Sequence, residues 1–166
     1  SELSQLNSRL VEARQALARA ENQYQQIAEV TDASWREQAT VPVVRSNSLV
    51  SDFLAEEARA RAKVDELSQR YGPRHPTMIE AQNELKSATE SLRGQVRQVV
   101  ASIEQKYELA QADLESLQKA FEENRESIRD VQSKEFRFQE LNREVETNRT
   151  LYNTFLNRLK ETTATA

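Results

Sequence analysis

The sequence predicts an all-α protein: a long antiparallel coiled-coil hairpin, with an interrupted ascending arm (about 1–39 and 48–71) against one long helix (about 76–160). Three observations predict it. Apolar residues recur at alternating spacings of three and four through most of the chain, the signature of a helix with one buried stripe. Helix breakers are scarce, with two glycines and three prolines in 166 residues. They are also clustered: "QRYGPRHPTM" (Gln69 to Met78) holds two of the prolines, one glycine and the single histidine.

The first element carries Leu3, Leu6, Leu10, Ala13, Leu17, Ala20, Tyr24 and Ile27 on one seam. Its small alanines allow a partner helix to come close. The pattern fades after Val30, near "TDASWREQ". In "TVPVVRSNS" (40–48), Pro42 cannot sit in a helix interior, and Val41, Val43 and Val44 favour extended backbone. This segment is read as a linker, with Asn47 or Ser48 as the N-cap of the next helix. That helix bears Val50, Phe53, Ala60, Val64, Leu67 and Tyr71 on one stripe, interrupted by Glu57. Glu57/Arg61 and Glu66/Arg70 are i,i+4 ion-pair candidates.

Next comes the breaker cluster. Gly72 is expected to end the helix in the left-handed conformation, and Pro73 forbids immediate resumption. Pro76 suits a first helical position, and Thr77 with Glu80 fits a capping box. Stop, turn and restart within five residues describe a hairpin tip over 72–75. Beyond it the seam runs from Met78 through Leu92, Val96, Ile103, Tyr107, Phe121, Ile128, Val131, Phe138, Tyr152 and Phe155 to Leu159, with no further proline. A helix of that length spans roughly 125 Å. It needs a partner along its stripe, and the first two segments supply one. A tip centred at 73–74 places residue i opposite about 147 − i, so Leu3 is expected near Glu144 and about 16 residues overhang. Folding the 40–48 linker back would give a three-helix bundle instead. The opening "SELSQL" is already in helical phase, so the chain is expected to be one domain, a piece of something longer.

No catalytic constellation is visible. His75 is the only histidine, which excludes a His–His metal pair and a histidine triad within one chain. Its pattern fits a turn or cap residue better than a pH-sensitive contact. The absence of cysteine excludes disulfides and thiolate metal sites. The two glycines are too far apart for a phosphate loop. Glu122, Glu123, Glu126 and Asp130 alternate with Arg125 and Arg129, which reads as a solvated salt-bridged face rather than a metal site. Trp35 reads as a packing residue before a ligand-stacking one. A net charge of −4 makes nucleic acid a poor partner. No apolar run approaches the ~18 residues of a membrane span. The reading is a non-enzymatic interaction or scaffold protein with no cofactor.

Three stretches carry a resemblance to a known family. "LNSRLVEARQALARAE" (6–21) is similar to its heptad opening. "LSQRYGPRHPTM" (67–78) is similar to its tip signature, with Tyr71, His75, Pro76 and Met78 in place. "LNREVETNRTLYNTFLNRLKET" (141–162) is similar to its closing segment at Arg143, Glu144, Asn148, Arg149, Leu151, Tyr152, Phe155, Leu156 and Arg158. The chain thus resembles the periplasmic helical region of polysaccharide co-polymerases, chain-length determinants and exopolysaccharide transport proteins of the GumC–Wzc type.

The resemblance implies the periplasmic part of an inner-membrane protein, held in the membrane only through segments outside this sequence. It implies homo-oligomers that govern the length and export of an exopolysaccharide, capsule or O-antigen. The implied partners are a polysaccharide polymerase, an outer-membrane exporter and, in some members, a tyrosine autokinase. Tyr71, Gly72, Pro73, His75 and Pro76 would be the structural tip; Arg143, Asn148, Arg149, Tyr152, Phe155 and Leu156 would make packing or oligomer contacts. Two rival readings are a periplasmic adaptor hairpin of a secretion or efflux system, which would carry lipoyl-like halves on either side, and a generic dimeric coiled coil, which leaves the tip prolines unexplained.

Overall fold

A computed structural model of the protein describes residues 2–165. Five helices follow one another: α1 (Glu2–Ala28), α2 (Trp35–Thr40), α3 (Pro42–Arg45), α4 (Ser48–Ser68) and α5 (Pro76–Ala164). The described residues contain no strand, and the protein is all-α. The chain divides into two compact units, one of residues 8–117 and one of residues 2–7 with 118–165.

Within 8–117 the chain forms a helical hairpin. Lys63 Nζ meets Glu84 Oε2 at 3.0 Å, as the rule 147 − i requires. Asn47 faces Gln95, and further along Tyr24 stacks on Tyr107 with ring centroids 4.5 Å apart. Thus α4 and α1 pair with successive stretches of α5, an interrupted arm on one continuous partner, not three helices side by side.

The seam positions of the first arm behave as the spacing predicts. Leu10, Ala13 and Ile27 are buried, and Leu17, Ala20 and Tyr24 are half-buried. Ala81 and Ala88 of α5 are also buried and let α4 approach closely. The main core gathers Ile27, Ala39, Val41, Val44, Val50, Leu92, Val96 and Ile103 where α1 hands over to α4.

Several boundaries differ from the sequence expectation. The first arm is not helical to residue 39. It stops at Ala28, where the Thr31 hydroxyl donates to the carbonyls of Ile27 and Ala28, and a turn leads to Ser34. Ser34 caps α2 by accepting from the Glu37 N–H at 3.4 Å. Nor is 40–48 extended. Only the two N-cap residues are extended: Val41 (φ −65°, ψ 131°), as a residue before proline should be, and Asn47 (φ −65°, ψ 129°); Pro42 starts the helical turn α3 at its first position. Val41 keeps the extended backbone expected of it, whereas at Val44, within α3, complete burial in the core overrides the β-propensity.

These folded-back pieces use up chain. The rule 147 − i sends Tyr24 to residue 123, whereas it meets Tyr107, a displacement of 16 residues (123 − 107). The second arm ends at Ser68 rather than 71, so Glu66 and Arg70 are not an intrahelical pair. Glycine with positive φ is absent among the described residues, so Gly72 does not close α4 in the left-handed conformation. Right-handed turns do so instead: the N–H groups of Arg70 and Tyr71 donate to the Leu67 carbonyl, and that of His75 donates to the Gly72 carbonyl.

In the other unit, residues 118–165 continue α5 and residues 2–7 begin α1. Phe121 and Asn124 are half-buried; from residue 125 to Phe155 every side chain is exposed. The uncovered stretch is therefore much longer than the 16 residues expected, because the first arm was shortened by α2 and α3.

Candidate functional site

Three features could act on a partner or a ligand, and each is built from local chemistry. The first is the tip. The Pro76 ring starts α5, and His75 is its cap: the His75 Nδ1 accepts the Thr77 N–H at 3.2 Å. Tyr71 stacks on the His75 ring with centroids 4.2 Å apart and planes inclined by 25°. Tyr71, Gly72, Pro73, His75 and Pro76 are thus brought together, all exposed. Histidine is the side chain that both caps and stacks, which explains its place beside the proline. No Cβ clash guards Gly72, as nothing lies within 4 Å of that position.

The second is the lock between the ascending pieces. Arg36, in α2, donates from Nη1 and Nη2 to the two carboxylate oxygens of Glu57 in α4, each at 2.9 Å. Arg61 approaches the same carboxylate at 3.3 Å, the expected i,i+4 contact. The Arg36 hydrogen bonds hold the Glu57 carboxyl below its ordinary range; burial pushes the other way, and the Thr89 hydroxyl of α5 and the charges of Arg36 and Arg61 reinforce the lowering. The Arg36 guanidinium is pushed up, first by its hydrogen bonds to Glu57. It also lies 4.5 Å over the Trp35 ring, which packs against the core. Trp35 is therefore a packing residue. The spacing marks Glu57 as an interruption of the stripe but does not reveal its partner, because 21 residues of separation leave no periodic trace.

The third is the exposed apolar face of α5. Val131, Phe138, Leu141, Val145, Tyr152, Phe155 and Leu159 are all more than half exposed. At 100° per residue, Asn148, Arg149, Tyr152, Phe155 and Leu156 share one face, whereas Arg143 falls on the opposite side. The six residues named from the closing motif are thus not one patch. Of them, only Leu156 is half-buried. Along the acidic stretch before this face, Asp130 pairs with Lys134 at 2.8 Å, and among the described residues no three potential ligands gather to hold a metal ion.

Taken together, the fold defines a class: an all-α protein whose long helix pairs with an interrupted arm and then presents an uncovered aromatic face. Among curated proteins, the chain is similar to the succinoglycan biosynthesis transport protein ExoP of Rhizobium meliloti (strain 1021), with 24% identity over 166 residues, covering 98% of this chain and 21% of that protein. The chain spans about a fifth of the length of the curated relative it matches. No family model matches the sequence. No solved structure matches it significantly. Among the described residues, no helix is long and apolar enough to cross a membrane.

Proposed function

We propose that this chain is a non-catalytic scaffold element of an exopolysaccharide co-polymerase or transport protein. It stands in the periplasm as part of an inner-membrane protein, and helps to set the length and export of the polymer. The observation that carries the reading is similarity to a polysaccharide transport protein along 98% of the chain. The physical support is a long helix paired with an interrupted arm and a face of exposed aromatics that a neighbouring surface would cover.

In this reading the partners are further copies of the chain, the polymerase and an outer-membrane exporter, with a tyrosine autokinase in proteins of the same kind. The mechanism is lateral packing: neighbouring copies bury Tyr152 and Phe155, and the assembled wall bounds the growing polymer. The test uses the full-length protein in its own bacterium. Tyr152→Asp with Phe155→Asp should shift the polysaccharide length distribution on gels. An unchanged distribution with the variant at normal abundance overturns the reading.

A further inference from the structure

We propose that the groove where α1 ends and α4 begins binds a neutral hexose oligosaccharide. The inference rests on the polysaccharide reading above and names a ligand class and a place for it. The groove is about 380 Å³, within the range of small-molecule sites, and lies wholly inside the 8–117 unit.

The lining of the groove is mainly polar. Seven of its ten lining residues are polar, so an apolar ligand would strand their hydrogen-bonding groups. Only one of them, Lys106, is charged, so there is no cationic cluster for a polyanion and no carboxylate for a cation. What dominates is carboxamide: Gln23 from α1, Asn47 from the α3–α4 junction, and Gln95 and Gln98 from α5. A carboxamide both donates and accepts, and sugar hydroxyls need both. Val43, Val99 and Ile103 supply an apolar floor for the C–H face of a pyranose ring.

Part of the groove is organised in advance, at Asn47 and Gln95. Asn47 Oδ1 accepts the Val50 N–H at 3.1 Å as the cap of α4, and Gln95 Nε2 donates to the same oxygen at 3.5 Å. Those bonds fix the Asn47 amide plane and leave its Nδ2 donors uncommitted. The Gln23 and Gln98 side chains make no hydrogen bond within the protein among the described residues, and both are exposed. A ligand therefore meets the Asn47 and Gln95 amides already held in place, while Gln23 and Gln98 are free to turn toward it without first breaking internal bonds, at the cost of ordering their side chains.

The test is a ¹H–¹⁵N titration of the 166-residue chain with cellotetraose and with maltotetraose, a β- and an α-linked probe. The side-chain amide signals of Gln23, Asn47, Gln95 and Gln98 should shift together and saturate with a Kd of about 1 mM for at least one probe. Asn47→Asp keeps the cap, since aspartate caps as well as asparagine, but removes the Nδ2 donors. It should weaken binding about tenfold while the urea midpoint stays put. A Gln23→Ala, Gln98→Ala double variant, changed only at exposed helical positions, should weaken it comparably. No saturable shift with either probe, or wild-type affinity in both variants, overturns the proposal. Because the readout is binding by the isolated chain, its failure is separate from the cellular length assay, which tests the scaffold reading alone.

Discussion

Arg36 grips both carboxylate oxygens of Glu57 at 2.9 Å, and the Glu57 side chain is only 7% exposed while that of Arg36 is 46% exposed. The pair joins the short α2 to α4 across 21 residues of chain. It thereby fixes the folded-back segment that decides where α1 meets α5. Arg36→Ala leaves a buried carboxylate with only the longer contact from Arg61 and the Thr89 hydroxyl. Discounted for the half-exposed arginine, the expected loss is about 2 kcal/mol, measured by urea unfolding. Arg36→Lys should recover part of it, since one ammonium cannot make the paired fork.

The same carboxylate gives the fold an acid-side dependence. Its folded pKa lies below the reference value of 4.5. Its stabilising contribution is therefore fully present above 4.5 and is lost as pH falls through the lower, folded value. The stability gap between wild type and Glu57→Gln should be constant at neutral pH and close below about pH 4.5. A gap that persists unchanged at about pH 3 contradicts the ion-pair account.

At the tip, His75→Ala removes a cap and a stacking partner, with an expected cost of about 1 kcal/mol. His75→Asn restores the cap but not the Tyr71 contact, and should fall between the two. Gly72→Ala should be near neutral, because the glycine has neither positive φ nor a neighbour within 4 Å of an added Cβ. Thermal midpoints of the three variants check these orders.

Gly94 lies inside α5, exposed, with nothing within 4 Å of an added Cβ. Gly94→Ala should raise stability by about 0.5–1 kcal/mol, through the entropy that glycine loses in a helix. A decrease in the urea midpoint would contradict an open, purely helical site at residue 94.

The hairpin register can be read directly. Lys63 and Glu84 are each about half exposed and meet at 3.0 Å. A zero-length carbodiimide reagent should join the peptides bearing them, and mass spectrometry should find that amide at low protein concentration. Its disappearance in Glu84→Gln, with the helical content unchanged, completes the check.

Much of this was local and so legible. The seam Leu10, Ala13, Ile27 is buried as its spacing requires, Asn47 caps α4, and Pro76 begins α5. The α4–α5 register follows from the tip alone, since it is counted from a turn of fixed position. The candidate site was legible in part. The tip residues do meet, but the closing-motif residues divide between two helix faces, and the amide groove comes from three separate segments that share no pattern.

By itself the sequence determined an all-α hairpin, its corner, and the phase of each seam, because helical periodicity and caps act over a few residues. Only the tertiary structure decided how far α1 slides along α5, and with it which aromatics stay uncovered. A seam that repeats every seven residues fits its partner at several offsets. The choice among them depends on how compactly residues 29–47 fold, and that is set by burial of Val41 and Val44 and by the Arg36–Glu57 contact, between residues distant in the chain.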